Sequence, residues 1–252
     1  MAAERTKVYL AGAGPGDPDL LTRKAERVLA NADAVIYDQL VNPEILALAN
    51  PHALFVLARK QQGLQEEAQA EIFAWYLRLR SVTGPIVRLK SGDPMVFGKG
   101  AEELEFLTQH GFDVEVVPGV SSVTAAPALA GIPLTYRGVA SYFTVLAGHR
   151  QAVKEIDWPA FRHAGTLVVV MGVENRATIA TSLIHGGRPA GDPVAFVQNV
   201  STERERVREA TLEEVARGEV EVEAPAVFVI GEVVRLRTPR PAREHEAASN
   251  RT

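Results

Sequence analysis

The 252-residue chain contains no cysteine. That excludes a disulfide framework, a thiolate metal site and a thiol nucleophile, and it suits a reducing compartment such as the cytoplasm. Positive charge is not in surplus either: 27 Lys and Arg face 31 Asp and Glu, a net charge of -4. No global basic field draws the chain to nucleic acid or anionic lipid, so any polyanionic ligand must be met by local cations. A basic stripe with interleaved aromatics, the mark of an RNA-binding surface, is also missing. No apolar run reaches the roughly 18 residues that a membrane helix requires. Met1 to Lys7 is short and charged and runs directly into a strand pattern, unlike an export signal. The six His residues are scattered without ligand spacing, so no metal site is expected.

What is present is 46% hydrophobic content, enough to bury one large core or two smaller ones. In the first half, apolar runs alternate with helical patterns, the signature of a parallel sheet with crossover helices. The strand candidates are Val8 to Ala11, Ala34 to Tyr37, Leu54 to Leu57, Ile86 to Leu89 and Val114 to Val117. Between them Leu21, Ala25, Val28, Leu29 and Ala32 share one helical face, as do Ile72, Trp75, Tyr76 and Leu79, and again Leu104 and Leu107. After Pro118 and Gly119 a small-residue stretch, Ser121 to Gly131, leads to strand candidates at Tyr142 to Ala147, Leu167 to Met171, Val194 to Val197 and Ala226 to Ile230. Thr202 to Glu209 alternates Arg and Glu as an exposed strand or hairpin arm would. Thr211 and Glu214 have capping-box spacing and open a short helix ending at Gly218. The expected architecture is two α/β domains: residues 1–117 around a five-stranded parallel sheet with crossover helices, and residues 118–238 around a mixed sheet. Residues 239–252 read as a loose tail.

Three groups of residues carry chemistry. Gly12-Ala13-Gly14-Pro15-Gly16-Asp17-Pro18 follows the first strand, where an open α/β sheet binds its ligand. It is not a dinucleotide fingerprint, because Asp17 stands where that pattern needs glycine and Pro15 removes a backbone donor. Ser91-Gly92-Asp93-Pro94-Met95-Val96-Phe97-Gly98 occupies the equivalent place after the fourth strand, and two such loops on one edge imply one cleft. There Gly92 admits close backbone approach and Asp93 offers an acceptor for an amine or a ribose hydroxyl. Either loop alone also reads as a plain turn, with Asp93 satisfying its own backbone. Asp38 ends the second strand and Arg59 and Lys60 follow the third. A carboxylate and an ammonium beside a cleft can move protons, and Arg59, Lys60, Arg88 and Lys90 can neutralise substrate carboxylates; each also reads as a solvated strand end. In the second half, strand ends at Met171-Gly172 and Gln198-Asn199-Val200 have backbone groups able to clasp an adenine, although Met171 by itself reads first as core filler. His149 reads as structural.

Taken together the segments resemble the S-adenosylmethionine-dependent tetrapyrrole methylase family, from about Lys7 to Arg237. The resemblance is carried by Val8 to Pro18 with Leu20-Leu21-Thr22, Tyr37 to Val41, Arg88 to Pro94, Val117 to Val120, Ala130 to Thr135 and Gly231 to Leu236, matched in order. It implies two α/β domains with the cofactor in the cleft between them, a homodimer in the cytoplasm, and methyl transfer to C2 and C7 of uroporphyrinogen III, giving precorrin-2 for sirohaem and cobalamin. By position, Pro15, Ser91, Gly92, Asp93, Val96, Ser121, Ser122, Met171 and Val200 would hold S-adenosylmethionine. Asp38 would be a proton acceptor and Lys60 a proton donor, while Gly14, Arg59 and Arg88 would meet the substrate. No metal is implied.

The departures from the family pattern bear on the substrate. Ser91 replaces a glycine, Ser121-Ser122 a Thr-Ala pair, Gln61 and Gln65 an arginine and a histidine, and Val200 a smaller residue. They keep open a methylase for a later corrin precursor, or a degenerate methylase that binds the cofactor without turnover.

Overall fold

The computed structural model describes residues 5–58 and 65–239. The chain forms two compact units, residues 1–122 and 123–252. The first is built on strands β1 (Lys7–Gly12), β2 (Ala34–Asp38), β3 (Leu54–Ala58), β4 (Ile86–Lys90) and β5 (Asp113–Val117), with helices α1 (Arg23–Ala30), α2 (Pro43–Leu46), α3 (Gln65–Arg78) and α4 (Gly100–Gln109) between them. All its strand pairs are parallel, in the order β3-β2-β4-β1-β5. Parallel neighbours need crossovers, which is why helical patterns alternate with strands in the sequence.

Each face of this sheet is covered. Val35, Val87, Leu89 and Val117 pack against Ala25, Val28, Leu29 and Ile45 from α1 and α2. Val8, Leu10, Ile36, Val56 and Ile86 pack against Ile72, Tyr76, Leu79 and Leu107 from the α3 and α4 side. Burying each large aliphatic side chain contributes about 1.5–3 kcal/mol. Helix α1 starts after Thr22, whose side chain accepts a hydrogen bond from the Ala25 N–H at 3.2 Å. Leu21, expected on its apolar face, therefore lies just before the helix and packs against the same core from there.

The second unit contains α5 (Ser122–Leu129, from its second residue on), β6 (Phe143–Ala147), α6 (Arg150–Glu155), β7 (Thr166–Val170), α7 (Arg176–His185), β8 (Pro193–Gln198), β9 (Arg206–Thr211), α8 (Leu212–Ala216) and β10 (Ala226–Ile230). Its sheet runs β6-β7-β10-β8-β9, with β6 and β7 parallel and the other pairs antiparallel. One face holds Leu167, Val169, Phe196 and Phe228 under α7 and α8, and the other holds Val168, Val170, Val197 and Val229 with Val123 and Ala126 of α5. The Arg/Glu-rich segment is an edge strand as expected, but β9 begins at Arg206. Residues 199–205 turn first, with Asn199 and Ser201 at positive φ and the Glu205 N–H bonded to the Thr202 carbonyl. The Thr211–Glu214 capping box is present, and α8 ends two residues before Gly218.

Candidate active site

In the first unit the connection from β1 leads toward β2 and β3, whereas that from β4 leads toward β5. The strand order therefore reverses between β1 and β4, and at such a point the loops beyond the carboxyl ends diverge and leave a crevice. The two Gly/Asp/Pro loops meet there. The Gly14 N–H donates to the Gly92 carbonyl at 3.1 Å and the Gly92 N–H to the Gly14 carbonyl at 2.8 Å, while Ala13 N–H donates to Lys90 O at 2.7 Å. Both glycines sit at φ near +70°, a conformation that side chains other than glycine's rarely adopt.

A third segment closes in from β5. A Cβ placed on Gly12 would lie 2.6 Å from the Gly119 Cα, and one placed on Gly119 would lie 2.7 Å from the Gly12 Cα. Asp93 holds these pieces: one carboxylate oxygen accepts from the Met95 N–H at 2.8 Å and the other from the Gly119 N–H at 2.9 Å. Its first role is thus to brace the loops, and lone pairs remain on both oxygens for a ligand. Pro15, Ser91, Ser121 and Ser122 lie partly exposed around this contact, and Val96 is exposed. Ser121 and Ser122 backbone atoms come within 3.9 Å of a Cβ position on Gly92, so the linker residues and the β4 loop are neighbours.

Asp38 ends β2 on the same edge of the sheet and is 7% exposed. Its carboxylate accepts a hydrogen bond from Arg88 Nη2 at 2.5 Å. Arg88 corrects the sequence-based expectation. It does not reach outward for substrate carboxylates but is 0% exposed, with Nε donating to Glu103 at 3.0 Å and Nη1 to the carbonyls of Leu89 and Ile36. Lys90 is likewise buried, its ammonium bonded to Glu103. Tyr76 donates its hydroxyl to Glu103 at 2.5 Å. The cause is register: Ile86, Arg88 and Lys90 alternate onto the sheet face covered by α3 and α4, where Tyr76 and Glu103 wait.

The electrostatics follow from that burial. Burial alone would lower the Arg88 pKa, yet the carboxylates of Asp38 and Glu103 raise it overall. Burial and the Arg88 charge hold the Lys90 pKa below its ordinary range despite Glu103. Burial would raise the Glu103 pKa, but Arg88 and Lys90 overcome it and keep the group below its usual 4.5. Burial and the charge of Glu103 push the Tyr76 hydroxyl well above the ordinary tyrosine value.

Glu103 and Tyr76 escape a reading of the sequence as the buried partners of Arg88 and Lys90. Tyr76 looks like a core position on α3, and Glu103 is one of two glutamates opening α4. The available signal was Arg88 and Lys90 two residues apart in an otherwise apolar strand, a spacing that puts two cations on one buried face and demands a buried counter-charge. Arg59, Lys60 and Gln61 lie outside the described residues.

In the second unit, Met171 follows β7 with φ +56° and is 50% exposed, so it is not the core filler that its residue type suggests. Val200 is buried in the core beside β8, between Asn199 and Ser201 at positive φ, so its side chain packs with the sheet. His149 is structural: its Nδ1 accepts from the Ala152 N–H at 3.3 Å and caps α6. Among the described residues no group of three or more His, Asp or Glu is arranged to hold a metal ion, and no helix is long and apolar enough to cross a membrane.

Fold and loops together define an open α/β sheet with a crevice at its carboxyl edge, and comparison with known proteins gives the class of protein. The family model for tetrapyrrole (corrin/porphyrin) methylases matches residues 7–216. The chain belongs to that family. It is 43% identical to a uroporphyrinogen-III C-methyltransferase from Synechocystis over 90% of this chain and 89% of the relative. It is 42% identical to one from Pseudomonas aeruginosa over 91% of this chain and 94% of the relative. Among solved structures, uroporphyrin-III C-methyl transferase from Thermus thermophilus complexed with S-adenosyl homocysteine matches with a TM-score of 0.81 and 47% identity, covering 91% of this chain and 99% of that one.

Proposed function

We propose that this methylase transfers methyl groups from S-adenosylmethionine to C2 and C7 of uroporphyrinogen III, yielding precorrin-2. One observation carries the reading. The loops that meet where the strand order reverses, joined by the Gly14–Gly92 hydrogen bonds, are the two that bear the family's sequence. The substrate is taken from relatives that share more than two-fifths of their residues along nearly the whole chain. In each transfer an electron-rich pyrrole carbon attacks the sulfonium methyl group, the C–S bond breaks with its electrons going to sulfur, and the cationic pyrrole then loses a proton. No covalent enzyme intermediate is needed, so alignment of methyl and carbon and exclusion of water supply most of the rate.

In this reading Pro15, Ser91, Gly92, Asp93, Val96, Ser121 and Ser122, with Met171 and the Val200 backbone, hold S-adenosylmethionine. Asp38 accepts the released proton, and Lys60 stands by position where the family is assigned its proton donor. Gly14 and Arg59 meet the substrate, and Arg88 acts on it only through Asp38. The working protein is a cytoplasmic homodimer. Incubation with uroporphyrinogen III and S-adenosylmethionine is expected to give a product heavier by two methyl groups. Methylation of a precorrin with none of uroporphyrinogen III would overturn the substrate, and calorimetric cofactor binding without transfer to any tetrapyrrole would overturn catalysis.

A further inference from the structure

The buried charges beneath Asp38 extend from the carboxyl edge of the sheet into its interior. We propose that Glu103 is a positioning residue for methyl transfer: it fixes the guanidinium of Arg88, and Arg88 in turn fixes the carboxylate of Asp38. The inference rests on Asp38 acting as the proton acceptor. Its geometry is a continuous chain. Tyr76 hydroxyl to Glu103 spans 2.5 Å, Glu103 to Arg88 Nε 3.0 Å, and Arg88 Nη2 to Asp38 2.5 Å, with Lys90 closing on the second Glu103 oxygen. A guanidinium is a rigid planar fork, so pinning Nε on one side sets where Nη2 points on the other.

Two features argue for a role beyond stability. Four charged side chains share the core face of a sheet that apolar residues of similar volume would fill at no loss, since buried ion pairs are often neutral or unfavourable relative to hydrophobic replacements. The chain of contacts also runs in one direction, from the interior of α3 and α4 toward the carboxyl edge, and ends at Asp38, the one member other than Lys90 that closes a strand at that edge.

A double-mutant cycle on the full-length protein tests this, with kcat and KM for uroporphyrinogen III and the Kd for S-adenosylmethionine measured together. Asp38→Asn should lower kcat by about 10²–10⁴-fold, as expected for loss of a general base. Glu103→Gln keeps the side-chain shape and should lower kcat by about 10²-fold, the effect of a small misplacement of a reacting group, with KM and Kd unchanged. Combined with Asp38→Asn, it should add nothing further, because both act through one carboxylate. Full multiplication of the two effects, or a change in KM or Kd without one in kcat, would refute the positioning role while leaving Asp38 intact. An unaffected Asp38→Asn variant would instead remove Asp38 from the mechanism, and the inference with it. If Glu103→Gln does not fold, Tyr76→Phe, which deletes one hydroxyl from the chain, should show a smaller kcat loss that likewise vanishes in the Asp38→Asn background.

Discussion

The two five-stranded sheets solve the same packing problem with different materials. Strands β7, β8 and β10 of the second unit bury Leu, Val, Ala, Phe and Ile almost without interruption. Strand β4 of the first unit is as thoroughly buried, yet two of its five residues are Arg88 and Lys90. The second unit has a buried arginine too, but Arg188 is a clamp at a loop, paired with Asp192 at 2.7 Å and donating to the carbonyls of Phe161 and Ala164. Interiors accept charge only where it is paired and hydrogen-bonded. A charge cluster in the middle of a sheet is therefore an expense of stability that apolar packing elsewhere must offset, and only the first unit carries one among the described strands.

The largest effect should come from breaking the cluster. Arg88→Met removes the guanidinium that bridges Asp38 and Glu103, leaving Lys90 as the buried cation on Glu103, and should destabilise the first unit by about 3–5 kcal/mol, with methyl transfer lost. Urea unfolding read separately in each unit measures this, because the chain has two tryptophans, Trp75 in α3 and Trp158 in the second unit. Replacing one of them with Phe leaves a reporter for the other unit. If the Trp75 transition does not move, the contrast between the sheets is wrong. Phe196→Ala should have a comparable cost, about 3–5 kcal/mol, but confined to the Trp158 transition. It removes half of a buried edge-to-face pair with Phe228, whose ring centroids lie 4.5 Å apart.

Acid should separate the units more gently. Glu103 is held below its ordinary pKa of 4.5 in the folded chain, so its contribution is complete above that value and is lost as pH falls through the lower folded value. The Trp75 signal should accordingly unfold at a higher pH in wild type than in a Glu103→Gln variant refolded to the same starting stability with an osmolyte; identical acid midpoints would exclude Glu103 as the sensitive group. The smallest effect belongs to helix ends. Thr211→Ala removes the capping-box hydroxyl from α8 and should cost the second unit about 1 kcal/mol with methyl transfer unchanged at low temperature.

Most of the architecture was legible because strands and helices bury alternate residues with periods that the chain displays openly. All nine apolar strand segments are strands, and the two glycine loops lie together as their positions after β1 and β4 imply. What the sequence concealed was partnership. Nothing in the local pattern around Glu103 distinguishes a solvated first-turn glutamate from one lying under two buried cations, and only the approach of α3 and α4 to β4 decides between them. The same reason made Arg88 look like a hand extended to substrate. Met171 misled in the opposite sense, because its residue type favours the core while its backbone at positive φ turns it outward.

The contact of Gly12, Gly92 and Gly119 limits how this site can be altered. At these glycines the chain segments touch through bare backbone, and the Asp93 carboxylate braces them from the side. A methyl group added at Gly12 or Gly119 would pry the loops apart and displace Asp93 along with them. The floor of the site is thus inherited as one piece. Change that leaves this contact intact is confined to the side chains around it, such as Ser91 and the exposed Met95, Val96 and Phe97 beside it.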